Sequence, residues 1–192
     1  MGNGKSMDPY GELEIFKVYR DGTEELAFSE YNVITSGMGV GFSHLFAASG
    51  GTTITDYQIL NFQVGTDGDI NDYGASTFAL NTPLDTADYG GDTELIIESF
   101  QPIENGALGT SKDFARIRFS NIHRVTDTSV RFTLVLDRDS ANTFALNEVG
   151  LFMRNPRGLS TASPILVAYR PHTEITKTSE FSLIYRWTLT FA

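Results

Sequence analysis

One short segment near the N-terminus carries residues that could bind a nucleotide. The run Gly2-Asn-Gly-Lys-Ser6 imitates the end of a phosphate-binding loop. The full pattern has a glycine five residues before the Gly-Lys pair, on a turn between a strand and a helix. Only three residues precede Gly4 here, so the first glycine is missing and no strand leads into the turn. We expect no nucleotide site in this segment.

A second segment, Asp67–Gly74, has the Asp-x-Asp-x-Asn start of a calcium loop. The sixth position of the pattern is Asp72, where a glycine is needed, and the twelfth is Phe78, where a bidentate glutamate should stand. This departure excludes an EF-hand. Two interpretations stay open, a looser calcium or magnesium site and a solvated surface loop, and we assign no metal ligand. The shorter Asp137–Asp139 run is interpreted as a hairpin tip.

The three histidines, His44, His123 and His172, lie far apart in the sequence. His44 stands among apolar residues, which favours a place in the core or at its boundary, and His172 follows Pro171 in a predicted turn. A Ser–His–Asp arrangement stays open because its members need not be neighbours in sequence. No Gly-x-Ser-x-Gly nucleophile motif is present.

Hydrolysis of a glycosidic bond would need two carboxylates at a set separation. The acidic residues are many, and the aromatic residues nearest to them are Tyr73, Phe78 and Tyr89. These three residues do not form an obvious sugar-stacking cluster. We therefore assign no catalytic and no cofactor-binding residue, and we predict that the protein is not an enzyme.

Charge is divided unevenly along the chain, whose net charge is −10. Residues 1–110 contain three basic and seventeen acidic residues, and residues 111–192 contain eleven basic and seven acidic ones. The lack of Lys and Arg from Asp21 to Ser111 argues against nucleic-acid binding by the first half, because neutralising phosphates needs these cations. Two interpretations fit: a solvated acidic surface, and a polarised subunit whose two sides meet oppositely charged neighbours.

The composition is that of a folded protein. Its 192 residues, 41% of them hydrophobic, suffice for a substantial core and are too apolar for disorder. No apolar run approaches the roughly 18 residues that suggest a membrane span, and no secretory signal is evident. The absence of cysteine excludes disulfides, thiolate zinc sites and a cysteine nucleophile.

Short alternating segments separated by turn residues predict a mainly β fold. Asp21-Gly22 is a hairpin signal between strands over 13–20 and 23–28. Apolar residues at helical spacing, with Ser36 as N-cap, predict one short helix near 36–48. Further strands are predicted at 57–64, 95–100, 115–119, 130–136, 146–152, 165–169 and 181–191. This order favours an antiparallel, jelly-roll-like β-sandwich.

The predicted domain organisation is simple. An extended N-terminal arm covers residues 1–10 and would become ordered on a neighbouring subunit. A single β-sandwich domain covers residues 11–192 and contains a long loop at 65–91. A structureless loop of that length is uncommon in a compact domain unless it is functional.

Two strands carry further information. In the last one, Phe181, Leu183, Tyr185, Trp187, Leu189 and Phe191 fall on one parity and so share one face. The other parity is polar except for Ile184. In the strand over 146–152, Glu148 and Gly150 interrupt an apolar run, which predicts a turn or bulge that satisfies the carboxylate.

Four segments, taken in order, resemble those of small virion structural proteins of tailed bacteriophages. The run Asn32–Gly37 before a short apolar helix is similar to the start of many tail-fibre and baseplate components. Phe62–Gly68 followed by Leu80–Leu84 resembles their strand, Gly-Thr-Gly loop and leucine-bearing segment, although Asp67 interrupts the loop pattern here. Leu146–Phe152 resembles their Glu-hydrophobic-Gly-Leu-Phe strand. The end of the chain resembles their last hairpin, over residues 166–170, 175–177 and 183–191.

The resemblance implies a non-enzymatic part of a virion that is assembled in the host cytoplasm. Its expected place is the tail or baseplate, where it would anchor or connect fibres through contacts with copies of itself and with other virion proteins. Two alternatives stay open: a head-surface or neck protein, and a carbohydrate-binding module for host recognition that would use Tyr73, Phe78 and Tyr89. The resemblance implies no catalytic residue, and we assign no cofactor and expect no nucleic-acid and no membrane partner.

Overall fold

The computed structural model describes residues 9–47, 54–69, 80–90, 95–101, 103–104, 107–155 and 163–191. These residues form one helix, α1 (Ser36–Phe46), two 3-10 turns at Ile54–Tyr57 and Phe119–Asn121, and the strands β1 (Tyr10–Tyr19), β2 (Glu24–Ile34), β3 (Ile59–Gly65), β4 (Ile97–Phe100), β5 (Ile103–Glu104), β6 (Ala107–Leu108), β7 (Lys112–Arg116), β8 (Ile122–Thr126), β9 (Ser129–Leu136), β10 (Ala145–Met153), β11 (Ile165–Thr176) and β12 (Phe181–Thr190). The predicted mainly β fold with one short helix is confirmed. No helix in this part of the chain is long and apolar enough to cross a lipid bilayer.

Ten strands form one antiparallel sheet in the order β4-β7-β3-β10-β11-β2-β1-β12-β9-β8. Strand β2 belongs to both halves of it, because the part up to Asn32 pairs with β1 and the last two residues, Val33 and Ile34, pair with β11. We call β2-β1-β12-β9-β8 the β12 half and the remaining strands the β10 half. The rings of Phe62 on β3 and Trp187 on β12 lie 6.0 Å apart across the interior. The two halves therefore pack face to face, as the layers of a sandwich do.

Strand β12 supplies the largest share of the core on its side. Its inward residues Leu183, Tyr185, Trp187 and Leu189 are at most 1% exposed, as the sequence alternation predicts. The strand pairs along its whole length with β1 and over eight residues with β9. A slip of one residue in either pairing would turn these side chains to solvent, so their burial fixes the register.

The indole of Trp187 is held by a polar contact from β2. Its Nε1 donates to the side-chain oxygen of Asn32 at 2.8 Å. Asn32 stands opposite Gly11 in the β1–β2 ladder, and a Cβ on Gly11 would lie 1.9 Å from that oxygen. Only glycine at position 11 leaves room for the amide to reach the indole.

Helix α1 covers one end of the sandwich. Met38 is 1% exposed, and the ring of Phe42 lies 6.0 Å from that of Phe191. The predicted apolar face is not buried along its whole length, because Leu45 is 42% exposed and Phe46 is 81% exposed. The helix docks by its N-terminal turns, and its last turn extends beyond the core.

The prediction of Ser36 as the N-cap is wrong. Thr35 occupies the cap position with an extended backbone, and no side chain caps the helix there. The hydroxyl of Thr35 instead donates to the carbonyl oxygen of Leu166 on β11. Its backbone N–H donates to the Val167 carbonyl at 3.1 Å. The threonine therefore ties the start of the helix to the sheet.

Strand β11 runs further than its sequence predicts. Pro171 and His172 were expected in a turn, but both lie within the strand, which continues to Thr176. Pro171 stands opposite Glu148, where the β10–β11 register shifts. On its other side β11 pairs with β2 only at Ala168 and Tyr169. A proline lacks a backbone N–H, and it is tolerated at a bulge beside an unpaired edge.

The remaining predictions divide as follows. The hairpin at Asp21-Gly22 is confirmed, and its return strand continues to Ile34 as one strand, β2. Strand β8 was not predicted. The arm over 1–10 lies outside the described residues except for Pro9 and Tyr10, and Tyr10 already begins β1.

We predict that Asn32→Ala destabilises the protein by about 1–3 kcal/mol, because it leaves a buried indole N–H without its acceptor. Most of that cost should disappear in a Trp187→Phe background, which has no N–H to satisfy. Urea unfolding of the two single variants and the double variant measures the coupling. Ser120→Ala, at an exposed position of the Phe119–Asn121 turn, is the control and should change stability by less than about 0.5 kcal/mol. Equal costs of Asn32→Ala in both backgrounds would contradict the prediction.

Candidate functional site

Glu148 is the most deeply placed carboxylate in the described part of the chain. It is 0% exposed, on strand β10. One carboxylate oxygen, Oε1, accepts from the Thr82 N–H at 2.8 Å. The other, Oε2, accepts from the Asn81 N–H at 3.0 Å and from the Tyr169 hydroxyl at 3.2 Å. Three donors therefore satisfy a carboxylate that burial alone would strongly disfavour.

The local sequence explains how Glu148 reaches this place. The β10–β11 register shifts between Leu146 and Glu148, where the single β10 residue Asn147 stands against the three β11 residues 172–174, so β11 is bulged beside Glu148. Gly65 stands opposite Glu148 in the β10–β3 ladder. A Cβ at that position would be 2.5 Å from both Oε1 of Glu148 and the carbonyl oxygen of Thr82. The predicted satisfied carboxylate is confirmed, but the bulge beside it lies on β11 rather than on the strand that carries Glu148.

The segment 80–90 is packed onto the sheet. Leu80, Leu84 and Tyr89 are at most 5% exposed. Backbone hydrogen bonds join Thr66 to Thr82 at 3.1 Å and Leu84 to Val64 at 2.9 Å. The described end of the predicted 65–91 loop is therefore part of the core, and positions 70–79 and 91 lie outside the described residues.

Asp113 on β7 anchors the same segment at a second point. Its Oδ2 accepts from the Thr86 backbone N–H at 2.8 Å and from the Thr86 hydroxyl at 2.6 Å, and Oδ1 accepts from the Ser99 hydroxyl. Partial burial acts to raise the pKa of Asp113, but these hydrogen bonds outweigh it and lower the pKa below its usual value. Sequence reasoning missed this contact, since an acidic residue at a strand start carries no distinguishing signal.

Tyr89 does not present an aromatic face to solvent. It is 2% exposed, and burial raises the pKa of its hydroxyl well above the usual value. The expectation that Tyr89 contributes to a glycan-stacking surface is therefore wrong. Tyr73 and Phe78, the other two aromatic residues of that hypothesis, lie outside the described residues.

An open groove of about 480 Å³ lies beside the Glu148 anchor. It is lined by Asp67, Gly68, Asp69, Asn147, His172, Thr173 and Glu174. The start of the candidate calcium loop is bound to the protein itself, since the Asp67 carbonyl accepts from Asn81 at 2.8 Å and the Gly68 N–H donates to the Asn147 side chain at 2.8 Å. Among the described residues, no group of three or more His, Asp or Glu is placed to hold a metal.

His172 lies in the interior between the two halves. It is 2% exposed, and its ring packs 5.7 Å from Phe28 and 6.1 Å from Tyr185. Its Nδ1 lies 2.8 Å from the Thr173 carbonyl oxygen, and Nε2 has no hydrogen-bond partner among the described residues. Burial lowers the pKa of His172 to about 4, and this exceeds the opposing effect of the Thr173 contact.

The other candidate residues are separate from this site. His44 is half-buried on α1 and His123 is exposed on edge strand β8, and no described hydrogen bond or ring contact joins two histidines. Asp137 accepts from the backbone N–H groups of Asp139 and Ser140 at 2.7 and 2.9 Å. The Asp137–Asp139 run is therefore a turn, but it is not the tip of a hairpin. It leads from β9 in one half to β10 in the other, and these strands are not neighbours in the sheet. The Gly2–Ser6 run lies outside the described residues.

Comparison of the chain with family models, with curated proteins and with solved structures finds no match. These comparisons therefore show no family for the chain.

We predict that Glu148→Gln releases the segment 80–84 from the sheet. The amide keeps the volume but has one acceptor oxygen for the two backbone N–H groups, so we expect a loss of about 2–3 kcal/mol. Hydrogen exchange at the Asn81 and Thr82 amides should accelerate more than exchange elsewhere. Tyr169→Phe is the matched control, because it removes only the hydroxyl donor and leaves both amides bound. Unchanged protection of Asn81 and Thr82 in Glu148→Gln would refute the anchor.

We predict that His172 makes the protein less stable as the pH falls from about 6.5 to about 4. The pKa is about 4 in the folded chain and about 6.5 when unfolded, so the unfolded chain binds more protons in that window and is favoured as pH falls. The loss reaches about 3 kcal/mol at and below pH 4. His172→Phe should flatten this dependence of the unfolding free energy, whereas the exposed His123→Gln should retain it. Parallel pH profiles for His172→Phe and the unsubstituted chain would contradict this origin.

Proposed function

We propose that the protein is a structural, non-enzymatic component of a tailed-bacteriophage virion, attached to the tail or baseplate, where it anchors or connects fibres through subunit contacts. The observation that carries the proposal is that the four motif segments of the resemblance bond to one another. A set of weak motifs gains weight when the residues that define it are mutual partners in one scaffold.

The first and last segments meet at two points. Asn32 accepts from the Trp187 indole at 2.8 Å, and Thr35 donates to the Leu166 carbonyl. Both partners in each contact belong to segments of the resemblance, although more than 130 positions separate them along the chain. The polar residues Asn32 and Thr35 of the first motif segment therefore position the last hairpin.

The second and third segments meet around Glu148. Its carboxylate binds the backbone of the leucine-bearing segment, at Asn81 and Thr82, and it packs against Gly65 of the preceding strand. The glutamate and the glycine of these motifs are thus parts of one anchor. Neither is placed to act on a substrate, because the carboxylate is fully buried and each of its oxygens accepts from the fold.

This arrangement supports a role in assembly. Structural roles of the motif residues explain why the resemblance implies no catalytic residue. An antiparallel sheet folded around one large core leaves its outer faces available for contacts with neighbours. The burial of Tyr89 removes one of the three aromatic residues on which the carbohydrate-binding alternative depended.

The test is the protein content of purified virions. We expect quantitative mass spectrometry of gradient-purified particles to find this chain at a fixed multiple copy number relative to the major capsid protein. Particle reconstruction, with the sandwich fitted as a rigid body, should then place it at the tail or baseplate; density on the head surface or neck would favour the alternative location. Absence of the chain from infectious particles would overturn the proposal.

A further inference from the structure

The outer face of the β12 half carries an apolar row that crosses four strands. The strand registers align Val135 of β9, Ile184 of β12, Phe16 of β1 and Leu26 of β2. Leu26 is 53% exposed, Val135 is 37% exposed, and the two central residues are half-buried. The outer face of an antiparallel sheet is usually polar, and a contiguous exposed apolar strip on it marks a contact surface.

Charge on this same face is divided between strands. The next row places Arg186 of β12 opposite Glu14 of β1. The row after it places Arg131 on β9 and Glu12 on β1, with Thr188 between them. The outer face is therefore basic on the β9–β12 side and acidic on the β1–β2 side, where Glu24 also lies. The division between an acidic first half and a more basic second half of the sequence is therefore reproduced on one face of the sheet.

We propose that this outer face is the surface on which two copies of the chain pair, back to back, around a two-fold axis. The axis runs parallel to the strands, midway between β12 and β1. Rotation about it exchanges these two strands and maps the apolar row onto itself. Ile184 then packs on the partner's Phe16, and Val135 packs on the partner's Leu26.

The same rotation makes the charges complementary. Arg186 meets the partner's Glu14, and by symmetry Glu14 meets the partner's Arg186. Within its own chain Arg186 already lies 4.4 Å from the centroid of the Phe16 ring and 3.8 Å from Glu24, so its guanidinium is oriented beside the apolar row. A surface that is complementary to itself selects a second copy of the same chain rather than an unrelated partner.

The geometry of packed sheets is compatible with this pairing. Sheets that stack face to face are rotated by about 30° relative to each other. Strands lie about 4.8 Å apart, so β12 and β1 are each displaced sideways from the axis by about 2.4 Å, and contacts between them persist after such a rotation. The four strands that overlap, β2, β1, β12 and β9, span about 19 Å by about 33 Å at the central pair, or about 1,250 Å² summed over both partners, which is at the lower end of the roughly 1,200–2,000 Å² of stable interfaces.

This inference deepens the proposed function, since it names the face on which copies of the subunit meet. The two can fail separately. Pairing is measured on the purified chain alone, whereas the virion proposal is decided by the content of particles.

The experiment is a charge reversal with complementation, read by sedimentation velocity over a concentration series. Arg186→Glu makes the central charges of the face all acidic, and Glu14→Arg makes them all basic. Each variant alone should self-associate on the order of a hundredfold more weakly than the unsubstituted chain, because like charges meet across the axis. An equimolar mixture of the two should recover a dimer, since an acidic face then meets a basic one.

The controls are Arg138→Glu and Glu180→Arg, which make the same charge changes in exposed turns outside the face. They should associate as the unsubstituted chain does, and their mixture should gain nothing. Thermal unfolding of all variants checks the fold. A purified chain that stays monomeric at every concentration, reversals that leave association unchanged, or a mixture that fails to recover the dimer would each overturn the pairing.

Discussion

The alternation of strand β12 is the constraint on which the rest of the structure depends. Its inward side chains fill the centre of the core, and they do so only in one register with β1 and β9. That register also determines what faces outward. The outward side chains of β12 are polar except for Ile184. Ile184 is aligned with apolar residues on three other strands. One strand thus determines both the core and the composition of the outer face.

Buried polar groups position the parts that strand pairing leaves unfixed. Asn32 orients the largest core side chain, and Glu148 and Asp113 hold the segment 80–90 on the sheet at two separate points. Each of these groups accepts hydrogen bonds from backbone or side-chain donors that lie elsewhere in the sequence. Such contacts contribute little net energy when made and cost much when one partner is lost. They select the arrangement of segments more than they add to its stability.

Periodicity was sufficient to predict most of the fold. The strands over β1, β9, β10 and β12, the Asp21-Gly22 hairpin and the helix all follow from local patterns of apolar and turn residues. Three features did not follow, since each depends on tertiary contacts. Thr35 bonds to the sheet instead of capping α1, β11 passes through Pro171 because β11 is itself bulged there, and Tyr89 is buried although its segment looks like an open loop in sequence. Of the candidate site residues, only Glu148 carried a usable signal, a charged residue within an apolar strand.

The junction between the halves has a mechanical consequence. Along that seam the two halves share only the residue pairs Ala168–Ile34 and Tyr169–Val33, whereas β1 and β12 share ten. At this edge a tensile load that pulls one half from the other falls on few backbone hydrogen bonds, and the shared core and the chain connections carry the remainder. A load along the strands of the β12 half is instead shared by long ladders sheared in parallel. The molecule is stiff in one direction and compliant across the seam, so its response to stress depends on how it is attached.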